Sequence, residues 1–228
     1  MTTASRRSPA VGEYLVQLYI LLREGKPVVG ARLAERMGVS PPAVTQALRR
    51  MARAGLVTVE RRHGAQLTPE GRQMAEATLR RHYLVERLLV DVLGLNWAEV
   101  HQEADRIEHA LSPQLEQHLF QRLGRPTTCP HGNPFPGAPE EKRLIHARAL
   151  TEAQPGEEVT LLRVIEEAEQ DAELMRFLLE HRLFPGTPVA ILEPNASSDT
   201  LTLRVSEGQV QIPVTYARKL RISGPSSQ

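Results

Sequence analysis

Gly38 and the four residues after it narrow the choice of fold more than any other feature of this chain. Leu33, Ala34 and Met37 recur as the inner face of a short helix from Val29 to Met37. Gly38-Val39-Ser40 makes a tight connection, Ser40 suits an N-cap, and Pro41 or Pro42 suits a first helical turn. The next helix is expected to run to about Ala54, with Val44, Leu48 and Met51 on its buried side. Two helices joined by so short a glycine turn are the helix-turn-helix of DNA readers.

The flanking residues extend that unit. Residues 10–24 read as a helix with Tyr14, Leu15, Leu18, Tyr19 and Leu22 on one stripe, broken by Gly25-Lys26-Pro27. Gly55 ends the third helix, and Leu56–Glu60 alternates as a strand. Arg61-Arg62-His63-Gly64 turns, and Ala65-Gln66-Leu67 returns, which makes a two-stranded wing. Thr68-Pro69-Glu70 then opens a long helix expected to reach Leu93.

Charge agrees with a polyanionic partner for this half. Residues 1–90 carry 15 Lys and Arg against 7 Asp and Glu, whereas residues 91–228 carry 13 against 20. Ser40, Pro42, Ala43, Thr45 and Gln46 are expected at the DNA-facing start of the recognition helix. There Gln46 can read an adenine edge, and small neighbours can meet thymine methyls. Arg49, Arg50 and Arg53, with Arg61 and Arg62 at the wing tip, stand where phosphates would pass. The bland alternative is a solvated basic face.

Downstream, Asn96 is expected to cap a helix to about Leu111, and Ser112-Pro113 to start another that ends near Gly124. Residues 125–157 are rich in proline and glycine and read as a linker or surface loop. The tail alternates as strands at Leu161–Ile165, Val189–Leu192, Leu201–Val205 and Val210–Val214, with a helix at about Asp171–His181. That pattern fits a small β-barrel with one helix. No run of 18 apolar residues and no apolar leader is present, so neither a membrane span nor a secretory signal is expected. Cys129 is the single cysteine, which excludes an intrachain disulfide and points to the cytoplasm.

A second constellation lies on the helices after the wing. His82 and Glu86 are four residues apart. His101, Asp105, Glu108 and His109 fall within one sector of roughly 100° at about 100° per residue. Nitrogen and oxygen donors sharing one face suit a divalent ion better than a packed core, although a salt-laced exposed face uses the same residues. Cys129-Pro130-His131-Gly132 looks like half of a zinc site, but no second pair follows at metal spacing, so it reads as a loop. No phosphate-cradling glycine loop or nucleophile elbow marks an enzyme.

Four stretches together resemble the diphtheria toxin repressor family: Ser40–Thr45, Arg81–Arg87, Glu99–Ser112 and Pro126–Pro134. The resemblance implies a metal-dependent, dimeric repressor of operator DNA, with an SH3-like third domain. It implies a primary site of Glu13, Asp105, Glu108 and His109. It also implies an ancillary site of His82, Glu86 and His101, completed by acids of the third domain, for which Asp171 and Glu173 are the candidates. The positions of Glu13 and Asp105 are typically methionine and cysteine in the iron-responsive branch and carboxylates in the manganese-responsive one. Val16 stands where that second branch has a glutamate. Hard oxygen donors favour Mn²⁺, with Fe²⁺ the alternative.

The fold class expected is mainly α with small β. A winged helix-turn-helix (residues 1–73) precedes a helical metal-binding and dimerisation domain (74–145) and an SH3-like, FeoA-like β-barrel (146–228). The function expected is metal-switched transcriptional repression by a cytoplasmic homodimer that controls metal homeostasis genes. The competing readings are a metal-independent winged-helix regulator and a dinuclear metalloenzyme.

Overall fold

In the computed structural model, residues 9–26, 28–60, 64–195 and 199–224 are described. The chain packs as two compact units, Met1–His82 with Ile107–Ser112, and Tyr83–Arg106 with Pro113–Gln228.

The first unit contains α1 (Pro9–Arg23), α2 (Gly30–Met37), α3 (Pro41–Arg53), the hairpin β1 (Val57–Glu60) and β2 (Gly64–Leu67), and most of α4 (Pro69–Arg87). Leu15, Leu18 and Leu21 of α1 are fully covered, together with Leu33, Val44 and Leu56. Gly38 takes the left-handed conformation at φ 61° that ends α2, where a side chain would be strained. Ser40 Oγ accepts the Ala43 amide at the start of α3. Ala47 is buried, and Leu48, expected inside, is only half-buried. In the wing, Val57 pairs with Leu67 and Glu60 with Gly64. Thr68 caps α4: its hydroxyl accepts the Gly71 amide at 3.1 Å and donates to the Gly55 carbonyl at 2.7 Å. A Cβ on Gly71 would lie 1.9 Å from the Leu56 carbonyl oxygen, so no other residue fits that junction without a shift.

The second unit begins with the last turn of α4. Regular helix ends at Arg87 and a π-helical turn covers Leu88–Val92, where the sequence suggested unbroken helix to Leu93. Next come α5 (Val100–Ile107), which starts four residues beyond Asn96, α6 (Pro113–Arg122) and α7 (Glu141–Ile145). The segment read as a surface linker departs most from expectation. Cys129 to Phe135 are all buried, and the loop closes on itself through Cys129 N to Asn133 O (2.8 Å) and Phe135 N to Thr127 O (2.9 Å).

The tail forms β3 (Glu158–Val164), α8 (Ala172–Glu180), β4 (Pro188–Asn195), β5 (Thr200–Val205), β6 (Gly208–Pro213), the short α9 (Val214–Ala217) and β7 (Leu220–Ile222). One antiparallel sheet orders them β6-β5-β4-β3-β7. Alternation along β3 sends Val159 and Leu161 into a core with Leu174, Leu178, Ile191, Leu203 and Ile212, and an irregularity between Leu161 and Arg163 brings Val164 into it as well. The sequence pattern missed β7, whose three residues are too few to show a period.

Candidate metal centre and DNA interface

In the second unit, four elements bring ligand-type side chains together out of water. Glu86 comes from the end of α4, His101 from the first turn of α5, Cys129 and His131 from the buried loop, and Glu169 from the turn after β3. All five are at most 8% exposed. Ligand atoms of Glu86, Cys129 and His131 lie within 4.8 Å of one another. His101 Nδ1 is 3.2 Å from Glu86 Oε1 and 3.0 Å from Glu169 Oε2.

His131 shows what the cluster lacks. Its Nε2 sits 2.9 Å from the Trp97 carbonyl oxygen, which only accepts, so Nε2 carries a proton. Nδ1 then faces Glu169 Oε2 at 3.2 Å and Glu86 Oε1 at 3.6 Å. Neither Nδ1 nor Glu169 Oε2 makes a hydrogen bond of good geometry. A neutral imidazole would aim its lone pair at two carboxylates, and only a proton or a cation between them removes the conflict. Burial opposes charging His131, but Glu169 and Glu86 outweigh it and raise its pKa well above the ordinary value. Burial likewise pushes Glu169 up, yet the charge of His131, with His101 Nδ1 close by, brings it below the usual carboxylate range. Burial first, and then the charges of Glu86 and Glu169, raise the Cys129 thiol far above its ordinary value. A thiol, imidazoles and two carboxylates in one dry cluster fit a divalent cation, which would take the proton's place and hold the sulfur as thiolate.

Asn133 orients one of these acids. Its amide donates to Glu169 Oε1 and to Val164 O, while its Oδ1 accepts from Arg163 Nη1 at 2.8 Å. The buried guanidinium of Arg163 also donates to the Leu144 and Ile145 carbonyls.

Neither third-domain acid named from the sequence joins this cluster. Asp171 is the N-cap of α8, accepting from the Leu174 amide at 3.1 Å, and its other oxygen takes Lys219 Nζ at 2.7 Å. Glu173 is exposed on the first turn of that helix. Glu169, two residues before the cap, is the acid that reaches His101 and His131. Cys129 and His131 were also missed as site residues. Their spacing was visible, but their partners come from distant elements rather than from a second Cys/His pair.

In the first unit, His82 Nδ1 lies 2.8 Å from Glu108 Oε2, and Glu108 Oε1 lies 3.4 Å from His109 Nδ1. Glu108 is buried and His109 exposed, so this triad opens to solvent at one end. His82 therefore pairs with Glu108, which the resemblance assigned to the other site. Glu13 is exposed on α1. Asp105, in the second unit, is exposed on α5.

On α3, Val44, Ala47 and Met51 face inward, while Ser40, Pro42, Thr45, Gln46, Arg49, Arg50 and Arg53 are exposed and Ala43 half-buried. The Thr45 hydroxyl donates back to the Pro41 carbonyl at 3.1 Å, within its own helix. Arg61 and Arg62 lie outside the described residues.

A recognition helix with an exposed polar face, on a chain that also carries buried histidine–carboxylate centres, defines a metal-responsive DNA regulator. Residues 8–65 match the iron-dependent repressor N-terminal DNA-binding domain, residues 68–137 the iron-dependent repressor metal-binding and dimerisation domain, and residues 148–223 the FeoA domain. The iron-dependent repressor IdeR of Mycobacterium leprae is 36% identical over 218 residues, covering 92% of this chain and 94% of that one. The diphtheria toxin repressor of Corynebacterium diphtheriae is 45% identical over 127 residues, 56% of each chain. The solved structure of a manganese-dependent transcriptional repressor in complex with manganese superposes with a TM-score of 0.81 at 28% identity, covering 94% of this chain and 99% of that one. The chain belongs to the diphtheria toxin repressor family of iron-dependent repressors. It is a metal-dependent transcriptional repressor and not an enzyme, and its partners are operator DNA and a second copy of itself. Among the described residues, no helix is long and apolar enough to cross a membrane.

Proposed function

We propose that this repressor is switched by Mn²⁺, with Fe²⁺ as the alternative signal, and that it acts in the cytoplasm on genes of metal supply. The observation that carries the reading is the His131 ring, protonated on the side of Trp97 and aimed on the other side at two buried carboxylates. Glu86, His101, Cys129, His131 and Glu169 would hold one ion. Glu13, Asp105, Glu108 and His109, read from the family resemblance, would hold the activating one, with His82 bound to Glu108. A bound ion supplies positive charge that lets these acids and the thiolate share one site. Glu13 belongs to the DNA-reading helices and Asp105 to the dimerisation helices, so a shared ion would favour one arrangement of the recognition helices. That arrangement sets them about 34 Å apart, on successive turns of the major groove. The divisions at 73/74 and 145/146 belong to the same reading.

Carboxylate-rich ligand sets suit manganese better than thiolate or thioether sets do, and the similarity to a manganese-dependent repressor supports manganese as the signal. The test is an operator-shift assay on the full chain with Mn²⁺, Fe²⁺, Zn²⁺ and excess chelator. Binding should require metal and weaken as salt rises. Glu108→Ala should abolish metal activation while the helical circular dichroism is retained. Tight, sequence-selective binding that persists in chelator would sink the switch and leave the metal-independent regulator.

A further inference from the structure

The loop that carries Cys129 and His131 has to be seated against the helix that carries Glu86, and one side chain does this from next door. Arg87 follows Glu86 on α4. Its Nε donates to the Thr128 carbonyl at 2.8 Å, and its Nη2 to the Thr128 hydroxyl and the Cys129 carbonyl, both at 3.2 Å. Its remaining Nη1 points away, to Asp91 one turn on, at 3.2 and 3.4 Å. The fork is used on both edges, and its inner edge lies on the backbone of Cys129 itself. Elsewhere the loop is held from other directions. Trp97 Nε1 donates to the Pro130 carbonyl at 3.0 Å, and the Val164 amide donates to the His131 carbonyl at 3.0 Å. Arg87 is what ties the Thr128–Cys129 end to α4.

We propose that Arg87 is a positioning residue of the metal centre. It docks the Cys129 backbone onto the helix that supplies Glu86, so the thiol and the carboxylate are placed together before any ion arrives. This rests on the reading of Glu86, Cys129, His131 and Glu169 as a metal centre. Planarity is what the position requires. A guanidinium reaches two carbonyls and a hydroxyl along one edge while pairing with Asp91 on the other, whereas an ammonium offers a point charge with no fixed fork. The bland alternative is a surface i,i+4 ion pair between Arg87 and Asp91, which is worth little. The side chain of Asp91 is 41% exposed and that of Arg87 25%, and only Arg87 reaches the loop.

The experiment titrates the full-length apo protein with Co²⁺ in the wild type, Arg87→Gln, Arg87→Lys, Asp91→Ala and Cys129→Ser. Thiolate-to-cobalt absorption reports Cys129 as a ligand. The single tryptophan, Trp97, whose ring meets His131 edge-on at 4.7 Å, reports the seating of the loop by its emission. Both Arg87 variants should bind Co²⁺ at the thiolate site about ten- to a hundred-fold more weakly, the usual cost of losing a partner that orients a metal ligand. Asp91→Ala should stay near wild type, and the apo melting temperatures of the Arg87 variants should stay close to it too. If Arg87→Gln does not fold, Arg87→Lys, which keeps the charge and the stem, decides alone. Wild-type affinity in the folded Arg87 variants overturns the proposal. So does an Asp91→Ala loss as large as that of Arg87→Gln, or a loss that merely follows a lowered apo melting temperature. A wild type without the thiolate band, or a band that survives in Cys129→Ser, overturns the metal centre itself.

Discussion

At the scale of single residues, neighbours along a helix take hydrogen-bond partners from different stretches of chain. His82 and Glu86 sit one turn apart on α4, yet His82 pairs with Glu108 and Glu86 with His101. A helix surface fixes which residues share a face, but not which distant side chains they meet. Gln46 is a simpler case, exposed near the start of α3. It should read a base edge, so Gln46→Ala should relax preference at one operator position, at a cost of about 1–3 kcal/mol on the preferred site. Arg50→Ala should weaken all sequences alike and make the salt dependence shallower. Binding curves on matched and mismatched operators check both. Equal losses on every sequence for both variants would place base reading elsewhere.

At the scale of elements, the regular parts were legible and the irregular parts were not. The inward stripe of α1, Ser40 as the cap of α3 and the wing strands all follow from period and capping chemistry, which act within a few residues. The π-helical turn at Leu88–Val92 has no such local signature. The buried loop deceived for a physical reason. Its prolines and glycines fit a surface turn, but Gly132 at φ 86° presses so close to β3 that a Cβ would lie 2.1 Å from the Leu162 carbonyl oxygen. Asp171 shows a similar limit, because an acid suited to a metal is equally suited to start a helix. Its role here predicts that Asp171→Ala destabilises by about 1 kcal/mol, the usual cost of losing an N-cap, while Asp171→Asn, also a good cap, stays close to wild type. Thermal melts of the apo protein, with Co²⁺ affinity read alongside, separate the roles. A metal ligand would lose affinity in both variants, and a cap only stability in the first.

At the scale of the whole molecule, the exposed apolar residues of the matched dimerisation domain bear on self-association. α6 buries none of its residues, and Leu115 on it is 45% exposed. Val92 and Leu93 at the π-helical turn are 62% and 59% exposed. Large apolar side chains left in water within the matched dimerisation domain suit a face for a second copy. Leu93→Glu combined with Leu115→Glu should raise the concentration needed for dimers by at least about tenfold while the monomer stays folded, as a charge buried in an interface costs well over 1.4 kcal/mol. Sedimentation across a dilution series measures this, and an unchanged dimer would move the interface off these residues.

The amide of Asn133 grips Glu169 on one side and is gripped by Arg163 on the other, so two stretches far apart in sequence behave as a single heritable piece. A hybrid repressor spliced near residue 146 would take loop 128–134 from one parent and β3 with Glu169 from the other. Such a hybrid should keep both folds and lose the fit between them. Exchanging third domains among relatives would then succeed only when the asparagine, the arginine and the glutamate travel together.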